Sequence, residues 1–288
     1  MPNHLLKLSH NFPSLIDPTS GQIYAVIPTL NQSDKHAPVD LSQKASAAMA
    51  IEHNSQKSDE AKNSHPLQVV IAGHTIRDPL NTLTTYCKKY HKTIKSFDQF
   101  AYTQTEIRIT EDLVKRTKIL NSRIGNRGKH EVKNFVNKPV DWSVVSYKVS
   151  LIDADPLDDD GLYDHAEKIY KNYFQFNVRD GKVSKVLYLF RPNFFPILDS
   201  RVKKNYRRAA TAEANRLRLL NPKFINLKRA YWSAIRNDLI ANEFALRSLK
   251  KSIDGLTTSN CELDGELISA LKVLSNVRLL DILTWKLG

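Results

Sequence analysis

The 288-residue chain is poor in cysteine and glycine, with two of the former and nine of the latter, and it lacks long apolar runs. No segment approaches the ~18 apolar residues that a membrane-spanning helix needs. Cys87 and Cys261 are too few for a four-cysteine zinc or iron–sulfur site or for a disulfide framework, and two thiols fit a reducing compartment, the cytoplasm. No G-x-x-x-x-G-K-[ST], G-x-G-x-x-G or G-x-S-x-G stretch occurs, and the histidines form neither H-x-x-x-H nor H-E-x-x-H. NTPase, dinucleotide-binding, serine-hydrolase and zinc-hydrolase readings fall away, and no cofactor is expected. The start, MPNHLLKLSHNFPS, has no basic stretch followed by an apolar one, the pattern of a signal peptide.

What the chain does have is positive charge: 43 Lys and Arg against 30 Asp and Glu, a formal +13. The excess is local. Residues 201–237 hold eleven basic residues and one acid, Glu213. Clustered positive charge on one element is the footprint of a polyanion, and DNA is the expected partner. A membrane surface is not, because the apolar stripe of this segment is small and includes Ala209 and Ala210 rather than a Trp/Phe/Leu face. At helical spacing Arg201, Lys203, Lys204, Arg207 and Arg208 share one broad face, and Tyr206 and Ala209 fall on the other side with Val202.

Along the chain, GQIYAVIP reads as a short strand, and residues 31–66 as a polar linker in which LSQKASAAMAIEH could form a helix. LQVVIAG reads as a short buried strand or the start of a packed segment. DPLNTLTTYCKKYHKTI predicts a helix capped by Asp78 with Pro79 at its first position, burying Leu80, Leu83 and Cys87. ITEDLVKRTKILNSRIG predicts a helix capped by Thr110 and stopped by Gly125, followed by a basic loop over 126–141. The aspartates of DADPLDDDG miss the calcium-loop register, since Gly161 falls at position nine, so a solvated acidic loop is expected. GLYDHAEKIYKNYF predicts an amphipathic helix, NVRDG a turn, and KVSKVLYLF a short helix with Val183, Val186, Leu187 and Phe190 inward. On that pattern Lys185 lies opposite the apolar stripe and points to solvent. RPNFFPIL is extended, because two prolines forbid a continuing helix, and Asp199 caps the basic helix. Two further helices are expected, over about 222–253 and 264–286. The aromatic zone Tyr163, Tyr170, Tyr173, Phe174, Phe176 and Tyr188 is mostly core, with one exposed member able to stack on a flipped base.

The stretch VRDGKVSKVLYLFRPNFFPILDSRVKKNY carries a resemblance. Asp199-Ser200-Arg201-Val202 matches the D-[TGS]-[HNR]-V motif that supplies the catalytic aspartate in the helix-hairpin-helix DNA glycosylase superfamily. A closer likeness is to a bacterial family of unknown function, similar in ITEDL, in SKVLYLFRPNFFPILDSRV and in the ending VRLLDILTWKLG, over about residues 98–288. In that ending Arg278, Asp281 and Trp285 share a helical face. The chain departs from the glycosylase pattern: the hairpin G-x-G is reduced to Gly181, and the iron–sulfur cluster of many relatives is impossible. Lys182 and Lys185 are near the place of the amine nucleophile of bifunctional members, but neither has its spacing to Asp199.

The expectation is a mainly α protein. A small mixed N-terminal region over 1–66 precedes a helical domain over 67–288 that resembles the glycosylase scaffold. Its expected function is DNA binding, with Asp199 the one plausible catalytic carboxylate of a base-excision-type reaction. The alternative is a catalytically inert binding or interaction module. If the basic face meets phosphates, replacing Lys203, Lys204, Arg207 and Arg208 by Ala should weaken binding to duplexes of any sequence and flatten the dependence of affinity on salt. Filter binding across a salt series measures both, and unchanged affinity at low salt would remove the patch from the interface.

Overall fold

Short polar side chains start many of the helices. Asp78, Thr110, Asp264 and Ser275 each accept a hydrogen bond from the backbone N–H three residues on, at 2.8–3.4 Å. Each cap satisfies one of the amide donors that a helix N-terminus leaves without an internal partner, a contribution of ~1 kcal/mol. The computed structural model describes residues 67–104, 108–126, 128–136, 138–175, 177–220 and 227–287, with the backbone of Leu15–Ile16 and Ile23–Tyr24. The expected linker over 31–66, with its helical LSQKASAAMAIEH, lies outside the described residues.

The chain divides into two units, Met1–Ser64 and His65–Gly288. In the first, β1 (Leu15–Ile16) pairs antiparallel with β2 (Ile23–Tyr24), which falls within GQIYAVIP. The second is mainly helical. It opens with a hairpin, β3 (Val69–Ile71) and β4 (His74–Ile76). Ala72 and Gly73 both take positive φ, 49° and 82°, the two-residue turn that matches the twist of paired strands.

Eight helices follow in chain order up to the middle of the unit and its second half. These are α1 (Pro79–Lys89), then the irregular α2, built of His91–Thr93, a π-turn Ile94–Asp98 and Gln99–Thr103, and α3 (Glu111–Arg116) with a 3₁₀ turn Thr117–Leu120. Next come α4 (Lys129–Val136), α5 (Leu162–Tyr173), α6 (Asp180–Phe190), α7 (Ser200–Leu220) and α8 (Leu227–Ala241). The unit closes with α9 (Glu243–Asp254), α10 (Gly265–Lys272), α11 (Asn276–Thr284) and a 3₁₀ turn Trp285–Leu287.

Several expectations are corrected here. The helix from Thr110 ends well before Gly125, because Asn121 turns left-handed at φ 52° after the 3₁₀ turn. The basic loop over 126–141 contains α4. The turn NVRDG gives up Asp180 and Gly181 to the first turn of α6. The two C-terminal helices are four. One break is at Asn242, whose side-chain amide accepts from Val70 N at 2.8 Å and donates to Val70 O at 2.7 Å, acting as a strand partner for the hairpin. The other is at Val273–Ser275, where Ser275 starts α11 and also donates to Pro192 O at 2.9 Å.

At the centre is α6. Every residue from Val183 to Phe190 is buried, so it has no wet face, the pattern of a helix surrounded by others. It is flanked by α2, by α3 with its 3₁₀ turn, and by α5. The segment expected to be extended opens instead as a turn, with Phe194 N and Phe195 N both donating to Arg191 O at 3.1 Å, because Pro192 presets the backbone for the second position of a turn; it then runs without regular structure to Asp199 and is mostly buried. The Arg191 guanidinium donates to Val145 O and Phe190 O, and Leu198 N donates to Ser184 Oγ at 3.0 Å. The loop is thereby pinned to α6 and delivers Asp199 to the start of α7. The core is tied across the sequence by Arg278 of α11. Its Nε and Nη2 reach the two carboxylate oxygens of Asp98 at 2.8 and 3.0 Å, and Nη1 donates to Asp281. The Tyr188 hydroxyl also donates to Asp98, at 3.0 Å.

Removing one partner of a buried charge cluster leaves the others uncompensated, at a cost of ~3–5 kcal/mol. Arg278→Met should therefore lower the free energy of unfolding by about that amount, whereas the exposed Arg247→Met should change it by under about 1 kcal/mol. Urea denaturation of the two variants checks the contrast.

Candidate functional site

Asp199 is half-buried at the N-terminus of α7, and its two oxygens do different things. Oδ1 accepts from Arg201 N and Val202 N, both at 2.9 Å, and forms the expected cap. Oδ2 takes no hydrogen bond from a described residue. The carboxylate is not sealed in the core. It lines an open cleft of about 740 Å³ together with Arg123, Arg179, Lys182, Lys185 and Gly181. A Cβ on Gly181 would meet only Leu198 O, at 3.7 Å, an ordinary contact.

One wall of the cleft is the loop 121–126. Asn121 and Arg123 take positive φ, 52° and 55°, and Gly125 takes 84°. Left-handed non-glycine residues cost on the order of 1 kcal/mol each and persist where neighbours hold them. Here Thr117 and Ser122 share a 2.7 Å hydroxyl contact, and Gly125 N donates to Glu131 Oε2 at 2.7 Å. Glu131, fully buried, also receives Lys182 Nζ at 3.0 and 3.2 Å. Lys182 is thus tied into an ion pair that joins the start of α6 to this loop. That makes it a positioning residue for the cleft rather than a free amine.

Lys185 departs from expectation. It does not point to solvent. Because α6 is enclosed on all sides, the face opposite its apolar stripe also packs against protein, and Lys185 is 9% exposed. Its Nζ donates at 2.6 Å to the carbonyl of Leu120, at the C-terminal end of the 3₁₀ turn, where carbonyls lack helical partners. Burial lowers its pKa, and the nearby carboxylates Asp199 and Asp281 pull it back up.

Behind the cleft is a second, smaller pocket of about 100 Å³. Asp199 and Lys185 line both. Its other walls include Tyr86 and Tyr90, whose ring centroids are 4.7 Å apart, and Trp285, edge-on to both at 5.9 and 5.3 Å. Asp281 lines it too. Sequence reasoning put Asp281 and Trp285 on one helical face but did not place them beside Asp199. The aromatic zone it singled out lies elsewhere. Tyr163, Tyr170, Tyr173 and Tyr188 are core, Phe174 is exposed beneath Lys228, and Phe176 is outside the described residues.

The five basic residues of α7 do not form one uniform set. Val202, Tyr206 and Ala210 are buried, and Lys204, Arg207 and Arg208 are exposed, without an ion pair among the described residues. Lys203 is half-buried and pairs with Asp180 at 3.4 Å. Arg201 lays its guanidinium over the Trp285 ring, 4.2 Å from the centroid. Among the described residues no group of His, Cys, Asp or Glu could hold a metal ion, and no helix is long and apolar enough to cross a membrane. The acidic loop carries three exposed aspartates in a row, Asp158 to Asp160. Comparison with protein-family models, curated proteins and solved structures finds no match for the chain.

Asp281 has an unusual charge balance. Asp98 takes two of the Arg278 donors, and Asp281 shares the remainder with one oxygen only. Burial raises its carboxyl from the ordinary 3.8 to about 7 against the pull of Arg278. Between those values the folded protein holds a proton that the unfolded chain releases, so this group's contribution to stability falls as pH rises through the window. The stability of the protein relative to Asp281→Asn should accordingly drop between about pH 4 and pH 8, by up to ~4 kcal/mol. Denaturation of both at a series of pH values tests this, and a flat difference would mean that Asp281 is ionised throughout.

Proposed function

We propose that the protein binds DNA through the cleft and the exposed face of α7, on a glycosylase-like helical scaffold, and acts on an N-glycosidic bond with Asp199 as its carboxylate. The observation that carries this reading is the setting of Asp199. It is a half-exposed carboxylate whose Oδ2 is free of described partners, in a cleft ringed by cations, with an aromatic-walled pocket behind it. A polyanion is drawn to the cations by charge and counterion release. A base turned out of a duplex needs a pocket with flat apolar walls, and the rings of Tyr86, Tyr90 and Trp285 offer them.

Breaking a sugar–base bond leaves positive charge on the sugar, with the bonding pair departing on the base nitrogen. A carboxylate next to the sugar carbon stabilises that charge and can take the proton of the water that adds there. The Asp199 cap suits this role. It fixes the carboxyl through Oδ1 and leaves Oδ2 for the substrate. Lys185 lines the same cleft, and burial lowers its pKa, the direction in which an amine gains nucleophilic character.

Asn caps a helix about as well as Asp but carries no charge. Asp199→Asn should therefore fold and bind duplex normally, and lose base release by a factor of ~100 or more. Duplexes carrying a panel of damaged and mispaired bases provide the assay. Full activity in the variant, or no base released from any duplex by the natural chain, would end the glycosidic reading and leave a binding module.

A further inference from the structure

We infer that the small pocket behind Asp199 takes a planar heteroaromatic ring bearing an exocyclic amino group, which Oδ1 of Asp281 accepts as a hydrogen-bond donor. The inference rests on the proposed function, in that an amino-bearing nucleobase such as cytosine is a ring of this kind.

The starting observation is an unfilled acceptor. Asp281 lines the pocket, is 5% exposed and has its Oδ2 held by Arg278, but its Oδ1 is buried with no hydrogen-bond partner among the described residues. Buried carboxylate oxygens are almost always paired, and one without a donor in a pocket wall marks a place for a donor from outside. The neighbouring cations do not fill it. Lys185 Nζ donates to Leu120 O, and Arg278 directs its donors to Asp98, to Oδ2 of Asp281 and to Tyr86. The polar function that the pocket lacks is an N–H, not an acceptor.

The walls specify the rest. Tyr86, Tyr90 and Trp285 pack against one another as an aromatic wall of the pocket, and the Arg201 guanidinium lies over the Trp285 ring. Flat aromatic faces favour a flat guest. At about 100 Å³ the pocket is far smaller than the ~300–1,000 Å³ of sites for drug-sized ligands, which suits a single ring. A ring that has neither the amino group nor a ring N–H would offer this oxygen only acceptors in a desolvated site. A site built to hydrogen-bond one group discriminates strongly against an analogue that cannot pair with it.

Cytidine and pyrimidin-2-one ribonucleoside, which has hydrogen in place of the amino group and likewise no ring N–H, differ at this group alone, and both can be titrated into the full chain at about pH 8, above the Asp281 carboxyl value. Quenching of Trp285 fluorescence is the readout, with Trp285→Phe as the blank. Cytidine should bind at least ~10-fold more tightly than the analogue without the amino group. In Asp281→Asn the side-chain oxygen stays with Arg278 and the NH₂ group replaces the free acceptor, so the preference for cytidine should be lost. Equal binding of the two nucleosides by the natural chain, or no quenching by cytidine up to millimolar concentration, overturns the inference, and so does an unchanged ratio in a folded Asp281→Asn. If that variant does not fold, the ratio in the natural chain decides alone. The duplex assay with Asp199→Asn separates this from the broader reading. Nucleoside preference without duplex binding keeps the pocket and removes the DNA function, and base release without nucleoside preference does the reverse.

Discussion

Arg278 is 2% exposed, and the packing of four helical segments depends on matching its charge. Withdrawing a guanidinium from water costs several kcal/mol even after relaxation, and only good geometry with opposite charge recovers it. Asp98 supplies that geometry from the π-turn of α2, with two donors of Arg278 on its two oxygens. Tyr188 of α6 donates to the same carboxylate, Tyr86 of α1 faces the guanidinium, and Asp281 completes the set from α11. The π-turn itself follows from this arrangement, since an extra residue in a helical turn re-aims the side chains that come after it. Asp98 is separated from Arg278 by 180 residues, so the contact closes the helical unit on itself. It also fixes the pocket, because Tyr86 and Asp281 are both clamp members and pocket walls.

The same logic explains why a lysine is tolerated in the most enclosed helix of the fold. Lys185 interrupts an otherwise apolar run, and its amine ends beside the last carbonyl of the 3₁₀ turn. That carbonyl lacks an internal partner, and the negative end of a helix attracts a cation. The two carboxylates nearby, Asp199 and Asp281, offset part of the burial cost, which is why its pKa is lowered by desolvation and partly restored by charge. Lys182, one turn earlier, reaches the fully buried carboxylate of Glu131 and is held in that ion pair. Two lysines three residues apart on one helix therefore differ through their surroundings, not their chemistry.

Much of the local structure was legible because it is written in short-range chemistry. Asp78, Thr110 and Asp199 announce their caps, and Pro192 and Pro196 announce the break between α6 and α7. The alternation of Leu162, Ala166, Ile169 and Tyr173 announces an amphipathic helix. What sequence reading missed depends on partners far away in the chain. Asn242 breaks a helix because its amide completes the edge of the β3–β4 hairpin, 172 residues earlier. Lys185 was assigned to solvent by a face rule that assumes one wet side. The better signal was in VSKVLYLF itself, whose apolar residues leave almost no polar face and so mark an enclosed helix. For the candidate site, Asp199 and the basic face of α7 were legible, but the pocket was not. Its walls come from α1, from the loop before Asp199 and from the C-terminal turn, and no local pattern brings those segments together.

A carboxylate can be held rigidly or be available to a ligand, and for one oxygen these demands conflict. The site resolves the conflict twice by dividing the two oxygens of a single group. Asp199 commits Oδ1 to two backbone amides of α7 and leaves Oδ2 without a described partner. Asp281 commits Oδ2 to Arg278 and leaves Oδ1 without a partner among the described residues. In each case the committed oxygen fixes the orientation of the other before any ligand arrives, so ordering costs fall on folding and not on binding. Their environments differ in the way the proposed roles require. Asp199, half-exposed at a helix N-terminus, is placed to meet developing positive charge. Asp281, enclosed and with Oδ1 buried, is placed to accept from a neutral donor such as an amino group once its carboxyl, raised to about 7, has ionised. A purely structural cap would account for Asp199 alone. It would not account for a second divided carboxylate in the pocket that Asp199 shares.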